Sequence, residues 1–162
     1  MKKLSSFIFT LVIVTGSFLL LVFFNELASC SAKYEDASNE EKHVHLIGNK
    51  YKTTKELLIY GITTDKNYKQ QIDLYTIHEP PGIGGPEVLL EGHLEPGTVV
   101  QIKKVLRCIN CIPPSLLELE IEILSEKKYR DHPVTVEKPE MRIEYQDGKA
   151  VINTELFQKV SE

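Results

Sequence analysis

The sequence predicts an all-β domain, built as an antiparallel meander or as a small barrel or sandwich, with a short C-terminal helix. From residue 43 onward, apolar residues occur in short runs of period two, separated by Gly, Pro and Asn, which is the pattern of half-buried strands. Residues 117–123 alternate Leu or Ile with Glu, as an antiparallel strand with one wet face does. Asp147-Gly148 lies between two apolar runs and is a strong signal for a tight hairpin turn.

Each apolar run gives one expected strand, and the breaks between the runs give the turns. The expected strands cover residues 43–47, 56–62, 72–78, 87–91, 98–107, 117–123, 133–136, 141–145 and 150–153. Residues 154–160 predict one or two final helical turns with Thr154 as the N-cap.

Composition and charge exclude several classes of protein. The chain has 162 residues, with 19 basic and 23 acidic side chains and a formal net charge of −4. Residues 1–29 hold two lysines and one glutamate, so residues 30–162 carry a formal charge of −5. These 133 residues are enough for one domain with a modest core. A mildly acidic surface argues against nucleic acid as the main partner. The absence of Trp and of internal repeats argues against fibrous and solenoid classes.

The N-terminal segment has the features of a secretory leader. Lys2 and Lys3 precede an apolar stretch over residues 7–24, whose helix would measure about 27 Å, a borderline length for crossing a bilayer. The lysines place the bulk of the chain outside the cytoplasm. The stretch is followed by Leu27-Ala28-Ser29-Cys30, which resembles the lipobox of bacterial lipoprotein signal peptides.

The resemblance implies that Cys30 is acylated and anchors the protein to membrane lipid. It implies that residues 1–29 are a signal peptide cut off before Cys30, and that the protein belongs to the cell envelope. Ser31 follows Cys30 where an Asp tends to retain lipoproteins in the inner membrane. An outer-membrane location on the periplasmic face is therefore implied for an organism with two membranes. Two alternatives stay open: an uncleaved anchor helix, and an ordinary signal cut near residues 28–32.

Residues 30–42 predict a flexible tether between the anchor and the domain. From residue 31 to residue 42 the segment contains one aromatic side chain and no aliphatic one larger than Ala, too little apolar surface to offset the entropy of ordering. The sequence therefore predicts a β-rich extracytoplasmic domain over residues 43–162.

Cys108 and Cys111 form the pair of residues most suggestive of chemistry. Outside the cytoplasm, two cysteines so close in sequence usually form a disulfide, which requires a turn between them. Asn110 and the prolines at 113 and 114 favour such a turn. A thiol-redox pair is the alternative, and it needs Cys108 at a helix N-terminus. A metal site would need two further ligands. We predict a structural disulfide, with neither a catalytic residue nor a cofactor nor a resident metal.

Two polar clusters have competing interpretations. His43 and His45 share one face of an expected strand, a spacing that suits copper or zinc, but solvated edge residues are the favoured interpretation. Alternating glutamates on residues 117–123 suggest either a cation site or a solvated charge ladder across a hairpin around the Cys turn, and we favour the ladder. The expected ladder residues are Gln101, Lys103 and Arg107 opposite Glu118, Glu120 and Glu122.

The remaining motifs favour binding over catalysis. The Pro- and Gly-rich residues 80–86 do not match a phosphate loop and predict a connection or a rim that contacts a partner. The sequence holds neither GxSxG nor HExxH. We therefore expect a membrane-anchored, non-enzymatic binding or structural module with an envelope protein as partner. The alternative is a periplasmic thiol-redox or metal-handling protein that uses Cys108 and Cys111.

Overall fold

A computed structural model describes residues 32–111, 116–136, 141–152 and 155–160. The chain divides into two units, residues 1–33 and 34–162, and the strands all belong to the second. They are β1 Tyr34–Asp36, β2 Lys50–Thr53, β3 Leu57–Ile62, β4 Leu74–His78, β5 Val88–Leu94, β6 Val99–Cys108, β7 Leu117–Ile123, β8 Val134–Val136, β9 Ile143–Gln146, β10 Lys149–Ile152 and β11 Phe157–Lys159. Single 3-10 turns cover Val44–Leu46 and Lys127–Tyr129.

Nine of these strands form one sheet, in the order β11-β2-β6-β7-β8-β4-β3-β5 with β1 also paired to β6. The sheet curls into a half barrel, which confirms the all-β prediction. Its pairs are antiparallel except for β4 and β8, which run parallel. β9 and β10 form a separate two-stranded sheet.

The core follows from the alternation within the strands. Along β6, Val100 and Ile102 point into the core, and Val105 does so further on. The switch occurs at a bulge, where the register with β7 shifts between Ile102 and Lys104. The extra residue leaves Lys103 and Lys104 both exposed, as a bulge does. Each buried aliphatic side chain contributes roughly 1.5–3 kcal/mol, so this long central strand organises much of the domain.

The Asp147-Gly148 hairpin is confirmed. Gln146 pairs with Lys149, which leaves two residues for the turn. Asp147 has φ 50° and Gly148 has φ 75°, the two positive angles that a type I′ turn requires. The runs expected at residues 56–62, 72–78, 87–91, 98–107, 117–123 and 133–136 are also strands, within a few residues at their ends.

Two predicted elements are wrong. Residues 43–47 are not a strand, since Val44–Leu46 forms a 3-10 turn. The C-terminal helix is not seen: Phe157–Lys159 is strand β11, paired antiparallel with β2, and Thr154 lies outside the described residues. Phe157 is buried, and its pairing with a distant strand outweighs the local preference for a helical turn.

The sheet also includes part of the expected tether. Tyr34, Glu35 and Asp36 pair with β6, and Ala37 and Ser38 directly after them are buried. The ordered domain therefore starts at residue 34 and not at residue 43. No sequence pattern indicates this strand, because its three residues are exposed and show no apolar alternation.

Candidate functional site

The two cysteines lie where β6 ends. Their sulfur atoms are within bonding distance and their Cα atoms are 5.6 Å apart, so the structure is compatible with the predicted disulfide. Cys108 is buried, whereas Ile109 in the turn is 57% exposed. Cys108 is the last residue of a strand and lacks the helix N-terminus that would lower the pKa of a reactive thiol.

β1 lies beside the cysteine turn, with Tyr34 opposite Cys108 and Glu35 opposite Arg107. The Arg107 guanidinium is 3.1 Å from Glu35 Oε1 and also binds Glu40. The hydrogen bond from Arg107 lowers the pKa of Glu40, and in return Glu40 raises the pKa of Arg107. The prediction that Arg107 faces the glutamates of β7 is therefore wrong, because β1 and the segment after it supply its partners.

Glu118 also departs from the expected ladder. It is 5% exposed, and the Tyr34 hydroxyl donates a hydrogen bond to its carboxylate. A buried carboxylate needs such donors, because its transfer out of water without hydrogen-bond partners is unfavourable. The prediction of a solvated side chain is wrong here, since β1 brings Tyr34 to this position.

The rest of the ladder is present. Lys103 Nζ is 3.3 Å from Glu122 and Lys104 Nζ is 2.9 Å from Glu120, which confirms cross-strand pairing around the cysteine turn. Lys104 takes part because the bulge exposes it beside Lys103. Gln101 lies opposite Glu122 in register but donates its amide hydrogen bond to the Gly48 carbonyl. Two lysines therefore form ion pairs with Glu120 and Glu122, as the ladder interpretation requires.

His43 is fully buried at 0% exposure, so its predicted position at a solvated strand edge is wrong. Its Nδ1 is 3.0 Å from the Ala37 carbonyl oxygen and its Nε2 is 2.9 Å from the Tyr145 hydroxyl. A carbonyl oxygen only accepts, so Nδ1 carries the hydrogen and, in the neutral ring, Nε2 accepts from Tyr145. The imidazole thus joins the segment after β1 to strand β9.

Further contacts hold the β9–β10 hairpin to the same segment. His45 Nε2 is 2.6 Å from the Ala150 carbonyl oxygen, and the Ala150 amide donates to the Lys42 carbonyl at 2.8 Å. Lys42 Nζ lies 5.5 Å from the centre of the Tyr145 ring. The two histidines therefore act as separate docking contacts. Across the described ranges, no group of three or more His, Cys, Asp or Glu side chains could hold a metal ion.

A groove of about 420 Å³ runs between this segment and the hairpin turn. It is lined by Glu40, Glu41, Lys42, Asp147, Gly148 and Lys149. The lining combines three carboxylates with two ammonium groups and includes no Ser, Cys or His. Such a surface can form hydrogen bonds and ion pairs with a polar partner, but its side chains provide no nucleophile with an adjacent base.

The Pro- and Gly-rich loop is fixed at one point. Gly82 has φ 77°, and a side chain at this position would collide with the Tyr60 ring and hydroxyl. Tyr60 is itself buried, so Gly82 allows the loop to close over the sheet. This packing explains the glycine as a connecting element, and the predicted role as a partner-contacting rim stays a prediction.

Comparisons with protein-family models, with curated proteins and with solved structures find nothing that matches the chain. In the part of the chain that the structure describes, no helix is both long and apolar enough to cross a bilayer. Cys30 and the leader over residues 1–29 lie outside the described residues.

Proposed function

We propose that this protein is a membrane-anchored lipoprotein of the cell envelope, with its domain acting outside the cytoplasm as a non-enzymatic binding or structural module. Residues 1–29 are its signal peptide, Cys30 carries the acyl chains, and another envelope protein is its partner. In an organism with two membranes, Ser31 favours the periplasmic face of the outer membrane.

The sequence Leu27-Ala28-Ser29-Cys30 directly after an apolar stretch carries this proposal. Small residues at 28 and 29 give a protease access to the bond before Cys30. The thiol is the nucleophile that thioether formation needs. One acyl chain binds a bilayer only marginally, so the lipoprotein pattern of several chains is required for stable anchoring.

The described residues support binding rather than catalysis. Arg107 is engaged with Glu35 and Glu40, and both ring nitrogens of His43 have partners. The groove beside the β9–β10 turn is lined by charged side chains that suit a polar protein surface. Groups held in this way position other parts of the protein.

Metabolic labelling with a fatty-acid analogue tests the anchor. Wild-type protein should carry the label and run shorter than the full chain. Cys30→Ala should lose the label and stay uncut. The Cys108→Ala/Cys111→Ala double variant is the matched control, because it removes the other two cysteines and should keep the label. Unlabelled wild-type protein, or a labelled Cys30→Ala variant, would contradict the proposal.

The partner is tested by a pull-down of the acylated protein from native membranes. A charge-reversed groove variant, Lys42→Glu/Lys149→Glu, is compared with Lys66→Glu/Lys69→Glu, which carries the same charge change in the loop before β4. Loss of a captured envelope protein with the first variant alone would support a binding role for the groove.

A thiol-redox role for Cys108 and Cys111 is the second candidate, favoured by the exposed position of the turn that joins them. It predicts that mild thiol reductants open the bond in the folded protein and that both cysteines then accept an alkylating label. A bond that opens only on denaturation would exclude thiol exchange as the function.

A further inference from the structure

The first strand of the domain fixes which end of the sheet lies nearest to Cys30. Cys30 and Tyr34 are four residues apart in sequence, and a fully extended chain of that length spans at most about 14 Å. Tyr34 is paired in the sheet directly opposite Cys108. If Cys30 is held in a bilayer, as the proposed function states, the end of β6 that carries Cys108 must stay close to the lipid surface.

That end of the sheet carries exposed apolar side chains. Ile109, at the tip of the cysteine turn, is 57% exposed, and Tyr34 is 39% exposed. The transfer of an exposed aliphatic side chain from water into lipid lowers the free energy. Aromatic rings with a hydroxyl suit the interface between lipid and water.

Arg107 and Glu118, the charged side chains next to this turn in the described strands, are paired within the protein. Arg107 binds Glu35 and Glu40, and the buried Glu118 carboxylate accepts a hydrogen bond from Tyr34. Charges neutralised in this way cost less to bring towards a medium of low dielectric constant than isolated ones do. These paired charges therefore oppose the approach of the turn to a bilayer less than unpaired ones would.

We propose that the cysteine turn is a membrane-contacting tip: Ile109 inserts into the lipid interface beside the acylated Cys30, and the disulfide holds the turn in the conformation that presents it. The occupant of this surface is the bilayer to which the protein is anchored. This inference rests on the proposed function, because the acyl anchor brings the tip to the lipid.

Tryptophan fluorescence provides a direct test, since the chain contains no Trp. The Ile109→Trp protein, acylated at Cys30 and otherwise intact, is reconstituted into phosphatidylcholine vesicles with or without bromine on the lipid acyl chains. Tyr68→Trp is the matched control. Tyr68 is 46% exposed in the loop before β4, at the opposite end of the paired strands β6, β7, β8 and β4. We expect a blue-shifted emission and loss of intensity in brominated vesicles at position 109 and neither at position 68.

Each other outcome is decisive. If the protein is acylated but Trp at position 109 is not quenched, the proposal of a membrane-contacting tip is wrong and the lipoprotein proposal still holds. If the protein carries no acyl chain, both proposals are wrong. Equal quenching at 109 and 68 overturns the assignment to one end of the sheet. Emission that shifts only when a membrane protein is added would place a protein, not lipid, at the turn. Asn110→Trp repeats the test without altering Ile109, and circular dichroism confirms that each variant folds.

Discussion

The β6–β7 hairpin lies inside the nine-stranded sheet, whereas the β9–β10 hairpin forms a two-stranded sheet of its own. β6 and β7 have further strand partners on their outer edges. In the described residues, the second hairpin is attached through His43, His45 and a backbone bond to Lys42, together with the apolar side chains of Met141, Ile143 and Ala150. The first is held mainly by repeated backbone ladders, and the second depends on a few specific side chains.

The difference predicts which substitutions unfold the domain and which release only one part of it. A ladder distributes stability over many equivalent bonds, so its loss is cooperative. A hairpin attached by a small number of side-chain contacts can open locally at a lower free energy than global unfolding. The substitutions below separate these two cases.

Leu119→Ala should have the largest effect. Leu119 lies on β7 with 0% exposure, and truncating a fully buried leucine costs about 2–5 kcal/mol because a cavity remains. Urea unfolding should show a lower midpoint with an unchanged slope. Val151→Ala on the half-buried face of β10 is the control and should cost less. If the two substitutions reduced the free energy of unfolding equally, the two hairpins would not differ in how they are attached to the core.

His43→Leu should cost about 1–3 kcal/mol, since it leaves the Ala37 carbonyl and the Tyr145 hydroxyl without their partner. Hydrogen exchange should accelerate at the amides of β9 and β10, including Ala150, while those of β6 and β7 stay protected. Tyr145→Phe removes only one of the two bonds and should have a smaller effect of the same kind. Acceleration spread evenly over both hairpins would contradict local docking.

Lys104→Met should reduce stability by about 0.2–1 kcal/mol, because exposed ion pairs contribute little. Its Nζ is 2.9 Å from Glu120, and the side chain is 46% exposed. The difference from wild type should shrink as salt is added, since salt screens exposed charges. A loss that does not change between low and high salt would show that Lys104 acts through packing.

Glu40 connects the two regions, and its substitution should have the smallest effect on stability, present at neutral pH and absent in acid. It binds Arg107 on β6, and its Oε2 lies 3.6 Å from His43 Nδ1. Its folded-state pKa is lowered, so its stabilisation is present above the unfolded value of 4.5 and is lost as pH falls through the folded value. Glu40→Gln should flatten the acid limb of a stability profile, and an unchanged limb would contradict this linkage.

The sequence predicted those elements whose signal is local. Residues 117–123 alternate because one face of β7 is buried, and Asp147-Gly148 tolerates the positive φ angles of its turn. The prediction that Glu118 is solvated is wrong because β1, which brings Tyr34 to it, carries no periodic signal. The prediction for His43 is wrong because its partners Ala37 and Tyr145 come from two other segments. β1 has three exposed residues and β11 contributes one buried aromatic, Phe157. Their positions are set by pairing with β6 and β2, which lie far away in sequence.

The same distinction between local sequence signals and distant contacts applies to the candidate site. The proximity of Cys108 and Cys111 was predictable because two cysteines three apart in a turn are a local feature. The partners of Arg107 were not, because they come from a segment that composition alone assigned to a flexible tether. The docking role of His43 could not be predicted either, because it depends on its contacts with Ala37 and Tyr145.

The pairing of β2 with β11 has a consequence for how the chain acquires its structure. Thr53 lies opposite Phe157, 104 positions further along the chain, so the hydrogen-bonding groups on that side of β2 stay unpaired until that distant segment has been synthesised. Contacts so distant in sequence slow folding. A nascent chain that reaches only as far as β10 therefore lacks one edge strand of the main sheet, and that sheet is complete only after residues 157–159 have been synthesised.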